Sequence, residues 1–406
     1  KEDFQLLNKL GKELCPGPWG TLIDTLYPIR PDVAYGFSSQ QSRERGQRIV
    51  DWMLRKLRAE LAEVVNNILS PAFGELCEAE LVSVFANADI PYDLSDFLTE
   101  RGVGFFPAGA ADKVLLSSLL ARERTLSPLP SIVFFDPQVG IRREWSDELW
   151  KAIEELEADL GKEPGGEGEE TGKPPLRVLA LRLDREAAGP AALLSFLDLY
   201  GCDFLIVLTH GALGAGPEGE IETGLITPYG PIFYSHIRRA FSPERHTFFI
   251  ITACGSWWAL SGAVASGMRG AITARWSVLA PTAVSLSKEL LEAVFGGRGE
   301  GKPVGVALAE AKARAVGGGV EAELSRDAFF LVGPPGPRLV VPGAEALTGE
   351  AGRRGLLEAL GDLAVSLRAL RASRSKLQRF GVLRRVDSLV EERDLLGDVP
   401  LRDVLA

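Results

Sequence analysis

At 406 residues, with 46% hydrophobic and 25% charged side chains, the chain has an ordinary globular composition and the length for two or three folded units. Its formal charge of −10 gives no overall electrostatic reason to bind DNA or RNA, since phosphate contacts need a basic face, so nucleic acid is not expected as a partner. The four cysteines, Cys15, Cys77, Cys202 and Cys254, are scattered without CxxC spacing, which excludes a dense disulfide scaffold and points to free thiols in a reducing, cytoplasmic setting.

In chain order, the first clear element runs from Arg43 to Leu69. It sets Ile49, Met53, Leu57, Leu61, Val64 and Ile68 on one stripe and stops before Pro71, as one long amphipathic helix does. From Glu75 to Leu119 the pattern is mixed, with a short apolar run at Leu81–Ala86 and a turn at Ala88–Pro91. From Ser131 onward, apolar runs rich in Val, Ile, Leu and Phe alternate with helical patterns, the signature of βα units in a parallel sheet. The expected strands are Ile132–Phe135, Arg177–Leu183, Phe204–Thr209, Thr247–Ala253, Gly270–Thr273 and Phe329–Val332. The expected helices are Asp147–Leu160, Ala191–Leu199, Pro231–Ala240, Trp257–Ala265, Thr282–Phe295 and Pro303–Ala315. Gly161–Pro175, rich in Gly and Glu, reads as a solvated loop.

After Pro342, Leu356, Leu360, Leu363, Leu367 and Leu370 form a narrow apolar seam on a helix. The basic run that follows, from Arg368 to Arg385, reads as a solvated helix face, with a dock for an acidic partner as the alternative. The longest apolar runs, such as Phe204–Leu208 and Phe248–Ala253, are too short to cross a bilayer, so no membrane segment is expected. No signal-peptide pattern follows Lys1.

A catalytic thiol needs a nearby base to form its thiolate, and open parallel sheets place such groups just beyond the carboxyl ends of their strands. His210 directly follows the run Phe204–Thr209, and Cys254 directly follows Phe248–Ala253. Either residue alone reads more readily as structural; the pair, at equivalent ends of consecutive strands and each followed by glycine, reads as base and nucleophile. Without a Cβ, such a glycine lets substrate backbone approach, so the expected oxyanion hole is the backbone N–H groups of Gly211 and Cys254. His236 falls within a predicted helix, His246 in a turn, and Cys202 ahead of its strand. No His or Cys spacing suggests zinc, so no metal is expected.

At these residues the chain resembles the CHAT family, caspase-like domains related to separases, gingipains and caspases. The resemblance is carried by Leu208-Thr209-His210-Gly211, Thr252-Ala253-Cys254-Gly255-Ser256, Gly270 through Val278, Pro303 through Leu308 with Ala311, and Leu331 through Pro335. The order His then Cys, 44 positions apart, is near the roughly 50 of caspases. Upstream, Ala88 through Leu94 with Phe97-Leu98 is similar to the lead-in of such domains. The resemblance implies an α/β fold with a caspase-like, mostly parallel sheet of about six strands flanked by helices. It would occupy residues 76–340, between helical regions at 1–75 and 341–406.

The resemblance further implies a cysteine endopeptidase acting through a His/Cys dyad, with no cofactor and a protein or peptide substrate. It also implies a regulated bacterial role in defence or cell death, with an activating partner engaging the helical flanks and the Gly-rich stretch Gly211–Gly219 moving beside His210. Arg275, Trp276, Ser277 and Val278 would border the site, with Trp276 and Val278 lining the pocket for P1, the substrate residue before the cut. Where separase-like relatives often place a carboxylate for a basic P1, four positions after the tryptophan, this chain has Ala280. A small or apolar P1 is therefore expected. Arg275 reads as a surface arginine, with a partner for an acidic P1 as the alternative. The rival readings are an inactive caspase-like interaction module and a nucleotide-binding α/β protein, the latter without a GxxxxGK[ST] or GxGxxG loop.

Overall fold

The computed structural model describes residues 40–85, 91–106, 123–125, 130–160, 178–199, 203–215, 221–240, 248–256, 270–295, 301–315 and 317–340. The expected loop Gly161–Pro175, helix Trp257–Ala265 and helical region after Pro342 lie outside these residues. The strands are β1 (Leu81–Phe85), β2 (Gly102–Phe106), β3 (Glu123–Thr125), β4 (Ser131–Asp136), β5 (Leu179–Asp184), β6 (Phe204–Val207) and β7 (Gly211–Ala215). They continue with β8 (Ile221–Thr227), β9 (Gly230–Phe233), β10 (Phe248–Ile251), β11 (Gly270–Ala274), β12 (Phe329–Val332) and β13 (Arg338–Val340). The helices are α1 (Gln40–Leu69), α2 (Phe73–Glu78), α3 (Arg143–Leu160), α4 (Pro190–Leu199), α5 (Tyr234–Ala240), α6 (Ala280–Phe295), α7 (Val304–Arg314) and α8 (Val320–Ala328).

The main sheet has eight strands in the order β1-β2-β12-β11-β10-β6-β4-β5. All neighbours are parallel except β11 and β12. Two parallel blocks, one ending at β11 and one starting at β12, thus meet at a single antiparallel seam. All six expected strands are in this sheet, and β1 and β2 extend it at one edge. The sequence Gly102-Val103-Gly104-Phe105-Phe106 is wholly buried, but its glycines are poor strand formers and hide it from a propensity reading.

Alternation along the strands builds two apolar faces. Ile132, Phe134, Phe204, Ile206, Phe248, Ile250 and Ile272 join the core shared with α1, α3, α6, α7 and α8. Val133, Phe135, Leu205, Val207, Phe249 and Ile251 face the other way, against α4 and α5. The fold is therefore a helix–sheet–helix α/β layering, with both faces of the central strands covered.

Three local expectations are corrected. In α1 the buried stripe is Leu54, Leu57, Leu61 and Val65, while Val64 and Ile68 are 46% and 47% exposed; the helix presents a slightly rotated face to α8. The Gly-rich stretch after His210 begins as β7, which pairs antiparallel with β8, itself paired with β9. The expected helix Pro231–Ala240 starts only at Tyr234, because Gly230–Phe233 closes that small sheet.

Helix α1 is built into the same core as the sheet, and Arg58 also pairs with Asp327 of α8. Leu61→Ala should therefore lower the unfolding free energy of the whole domain by about 2–5 kcal/mol in urea titrations, as a core truncation does. A loss under about 1 kcal/mol, within the range of surface substitutions, would contradict this packing.

Candidate active site

The register of the central strands decides which loops meet. Phe204 pairs with Phe248 and Val207 with Ile251, so β10 runs 44 residues ahead of β6 at equal height. That offset is also the separation of His210 and Cys254. Both residues leave their strands at the same level, three positions beyond the last paired residues. The pairing is prolonged past the strand ends, because the backbone N–H and the hydroxyl of Thr252 both donate to the Val207 carbonyl, at 2.9 and 2.7 Å.

Beyond that point the two loops touch. A Cβ built on Gly211 would lie 2.2 Å from the Cys254 carbonyl oxygen, closer than any side chain tolerates. The glycine is required by this approach of two backbones. Gly255 has a different reason: its φ of +60° turns the chain sharply after Cys254, with open space where a Cβ would be. Ser256 anchors the far side of the turn, its hydroxyl bonded to that of Thr273 and accepting the Ala274 N–H at 3.1 Å. Cys254 is left half-buried and His210 exposed.

The His210 segment is held by the small sheet. The Thr209 hydroxyl donates to the Ile226 carbonyl at 2.7 Å, and the Ile226 N–H donates to the His210 carbonyl at 2.9 Å. On the opposite side stands the loop after β4, where a Cβ on Gly140 would come within 3.0 Å of His210 Nε2. Gln138 in that loop is pinned by Asp136 and by Arg185. Sequence reasoning did not single out this wall, although β4 is paired with β6 and its end opens at the same edge of the sheet.

The segment after β11 is placed differently from the expectation. Arg275 is 6% exposed and so is no surface arginine; its guanidinium pairs with Asp93 and lies over the rings of Phe105 and Phe330. Trp276 is 1% exposed, with its indole N–H donating to the Leu324 carbonyl at 2.9 Å, so the ring belongs to the core. Ser277 and Val278 are half-buried, and Val278 packs on the main core. Among the described residues no group of three His, Cys, Asp or Glu could hold a metal ion, and no helix is long and apolar enough to cross a membrane.

Asp93 carries the buried charge cluster, since Lys312 also donates to it, at 2.8 Å. Burial works to raise its pKa, but the charges of Arg275 and Lys312 outweigh burial and hold the carboxyl below its ordinary value. Burial also pulls the Arg275 pKa down, and Asp93 offsets part of that. Because the folded-state pKa of Asp93 is depressed, its contribution is complete above the unfolded carboxylate value of about 4 and is lost as pH falls through the folded value.

Two expected outcomes follow from this geometry. Asp93→Asn should cost about 3–5 kcal/mol at pH 7, leaving Arg275 buried without its partner charge, and the difference from wild type should shrink as pH falls below about 4. A difference that stays flat with pH in urea titrations would show the carboxylate charge to be idle. Gly211→Ala should cost about 1–3 kcal/mol by forcing the two loops apart, and should slow alkylation of Cys254 by iodoacetamide. Wild-type melting and alkylation in that variant would mean that the loops do not touch.

No protein-family model matches the chain, and no curated protein does. Among solved structures, the chain is similar to separase in the Saccharomyces cerevisiae separase–securin complex, with a TM-score of 0.40 and 15% identity over 62% of this chain. It spans 15% of that separase chain. It is also similar to the Arg-specific cysteine proteinase gingipain R, with a TM-score of 0.45 and 10% identity over 69% of this chain and 68% of the other. The complex of Porphyromonas gingivalis RgpB pro- and mature domains matches with a TM-score of 0.43 and 10% identity, over 81% of this chain and 79% of that one.

Proposed function

We propose that the chain is a cysteine peptidase of the caspase-like type, with His210 as general base and Cys254 as nucleophile. The observation that carries the reading is the common height of the two residues at the ends of adjacent parallel strands, with Gly211 pressed against the Cys254 backbone. Presenting base and nucleophile in one place removes the entropy of finding each other, and general-base catalysis is worth about 10²–10⁴-fold.

In this reading a ring nitrogen of His210 takes the Cys254 thiol proton, and the thiolate attacks the scissile carbonyl carbon. The carbon–nitrogen bond then breaks, the proton passes from His210 to the leaving amine, and a thioester remains. Water, deprotonated by His210, hydrolyses it and restores the thiol. The backbone N–H groups of Gly211 and Cys254 are assigned to the developing oxyanion. No cofactor enters this sequence of steps.

The P1 residue is proposed to be small or apolar. Ala280 brings no carboxylate to the start of α6, and the guanidinium of Arg275 is spent on Asp93 in the core. Neither sign of charge is offered to a P1 side chain by these positions. Ser277 and Val278 remain the candidates to border it. The substrate is proposed to be a protein, with the helical flanks 1–75 and 341–406 as the regions through which a regulatory partner would act.

A peptidyl acyloxymethyl ketone with alanine at P1 is the direct probe. It should label Cys254 in the wild type, fail to label Cys254→Ala, and label His210→Ala at least about 10²-fold more slowly. A peptide library should show cleavage after small or apolar residues. Unchanged labelling after either substitution would remove the dyad, and preference for Arg or Lys would remove the P1 assignment.

A further inference from the structure

Among the described residues, two that are not glycine have a left-handed backbone, Gln138 at a φ of +55° and Arg185 at a φ of +43°. They stand just past neighbouring strands, since β4 and β5 are paired as far as Asp136 with Asp184. They are also bonded to each other, the Arg185 Nε donating to the Gln138 side-chain oxygen at 2.9 Å. A left-handed backbone is costly for any residue with a Cβ and persists only where its surroundings impose it. Two such residues joined in one clasp mark a segment whose shape is fixed from outside, and that segment leads to the histidine.

The clasp is anchored inward as well. The Gln138 amide donates to Asp136 Oδ2 at 3.1 Å, and Asp136 is wholly buried at the end of β4. The same oxygen accepts from Arg182 Nη2 of β5 at 2.8 Å and from the Ser146 hydroxyl of α3. Gln138 is therefore held at both ends of its amide, by a fixed buried carboxylate and by Arg185. Two residues on, Gly140 has a φ of +71°, and a Cβ built there would lie 3.0 Å from His210 Nε2 and 3.2 Å from its Cδ2. The loop backs the imidazole along that edge. An exposed histidine is otherwise free to turn about both side-chain torsions, whereas a general base must hold one orientation.

We propose that Gln138 is a positioning residue: clasped to Arg185 and keyed to Asp136, it sets the backbone at Gly140 as the wall that orients His210 toward Cys254. The inference deepens the peptidase reading and rests on it. Gln138 and Arg185 touch no reacting atom, and no proton or bond passes through them. Their effect reaches the reaction only through the angle at which the imidazole is held. Strain at Gln138 and Arg185 is the cost of bringing the Gly140 backbone against the ring, which a relaxed turn after β4 would not do.

The test is Gln138→Gly, because glycine adopts the left-handed backbone freely and only the clasping side chain is lost. The variant should raise the midpoint of the pH profile of Cys254 alkylation by iodoacetamide by about one unit, slowing alkylation below it about tenfold. Mass spectrometry of the Cys254 peptide keeps the exposed Cys77 out of the reading. With the alanyl acyloxymethyl ketone, the maximal labelling rate should fall about tenfold while the half-saturating concentration stays, as for a group that orients the base and does not hold the substrate. Arg185→Gly, at an exposed position, should reproduce both changes and serves if the first variant does not fold; the double variant should be no worse than either single. Added to His210→Ala, Gln138→Gly should change nothing further. An unmoved midpoint and labelling rate in folded Gln138→Gly, where His210→Ala moves both, would overturn the inference and leave the peptidase reading standing. A further loss from Gln138→Gly in the absence of His210 would also overturn it, since the loop would then act on Cys254 by another route. If His210→Ala itself moves neither quantity, the dyad falls and this inference falls with it.

Discussion

Four consecutive pairings between β6 and β10, from Phe204 with Phe248 to Val207 with Ile251, set the height at which two loops leave the sheet. A parallel pair slipped by one residue would turn every side chain to the opposite face, so burial of Leu205, Val207, Phe249 and Ile251 on one side and Phe204, Ile206, Phe248 and Ile250 on the other locks the register. The separation of His210 and Cys254 is that register continued past the strands. Gly211 and Gly255 then allow what the register demands, a close approach of two backbones followed by a sharp turn.

The next support lies across the antiparallel seam. Asp93, in the turn before β2, meets Arg275 at the end of β11 and Lys312 on α7, so a single carboxylate ties together both parallel blocks and a covering helix. Buried ion pairs seldom add stability over an apolar replacement, but removing one partner is costly, and this one fixes where the β11 segment ends. It also takes away a charge that could otherwise face a substrate. The specificity proposed for the site thus follows from a structural commitment made elsewhere.

Much of this was legible in the sequence because it was written in local pattern. Strands such as Phe204–Val207 and Phe248–Ile251 are apolar runs bounded by turn residues, and the residues just beyond them could be named without knowing the register. Other features have no local signature. β2 is disguised by Gly102 and Gly104, and β9 by its position in a segment that reads as helix. The burial of Arg275 depends on Asp93, 182 residues away, and a lone arginine beside a tryptophan gives no sign of it. Tyr234 is equally silent: only the packing of α5 into the apolar layer with Val207 and Ile251 buries its ring. Sequence pattern reports periodicity and punctuation, whereas charge pairing and hydroxyl placement are set by long-range contacts.

The central claim is that the register brings His210 against Cys254. A cysteine placed at position 210 tests it without any assumption about substrate, because a disulfide forms only when the two Cα atoms stand within about 4.4–6.8 Å. His210→Cys should cross-link to Cys254 on mild oxidation of the folded protein, found as a single linked peptide pair. If position 210 stays reduced, or pairs only with a cysteine other than Cys254, the two residues do not share a site and the account of the fold's active edge is wrong.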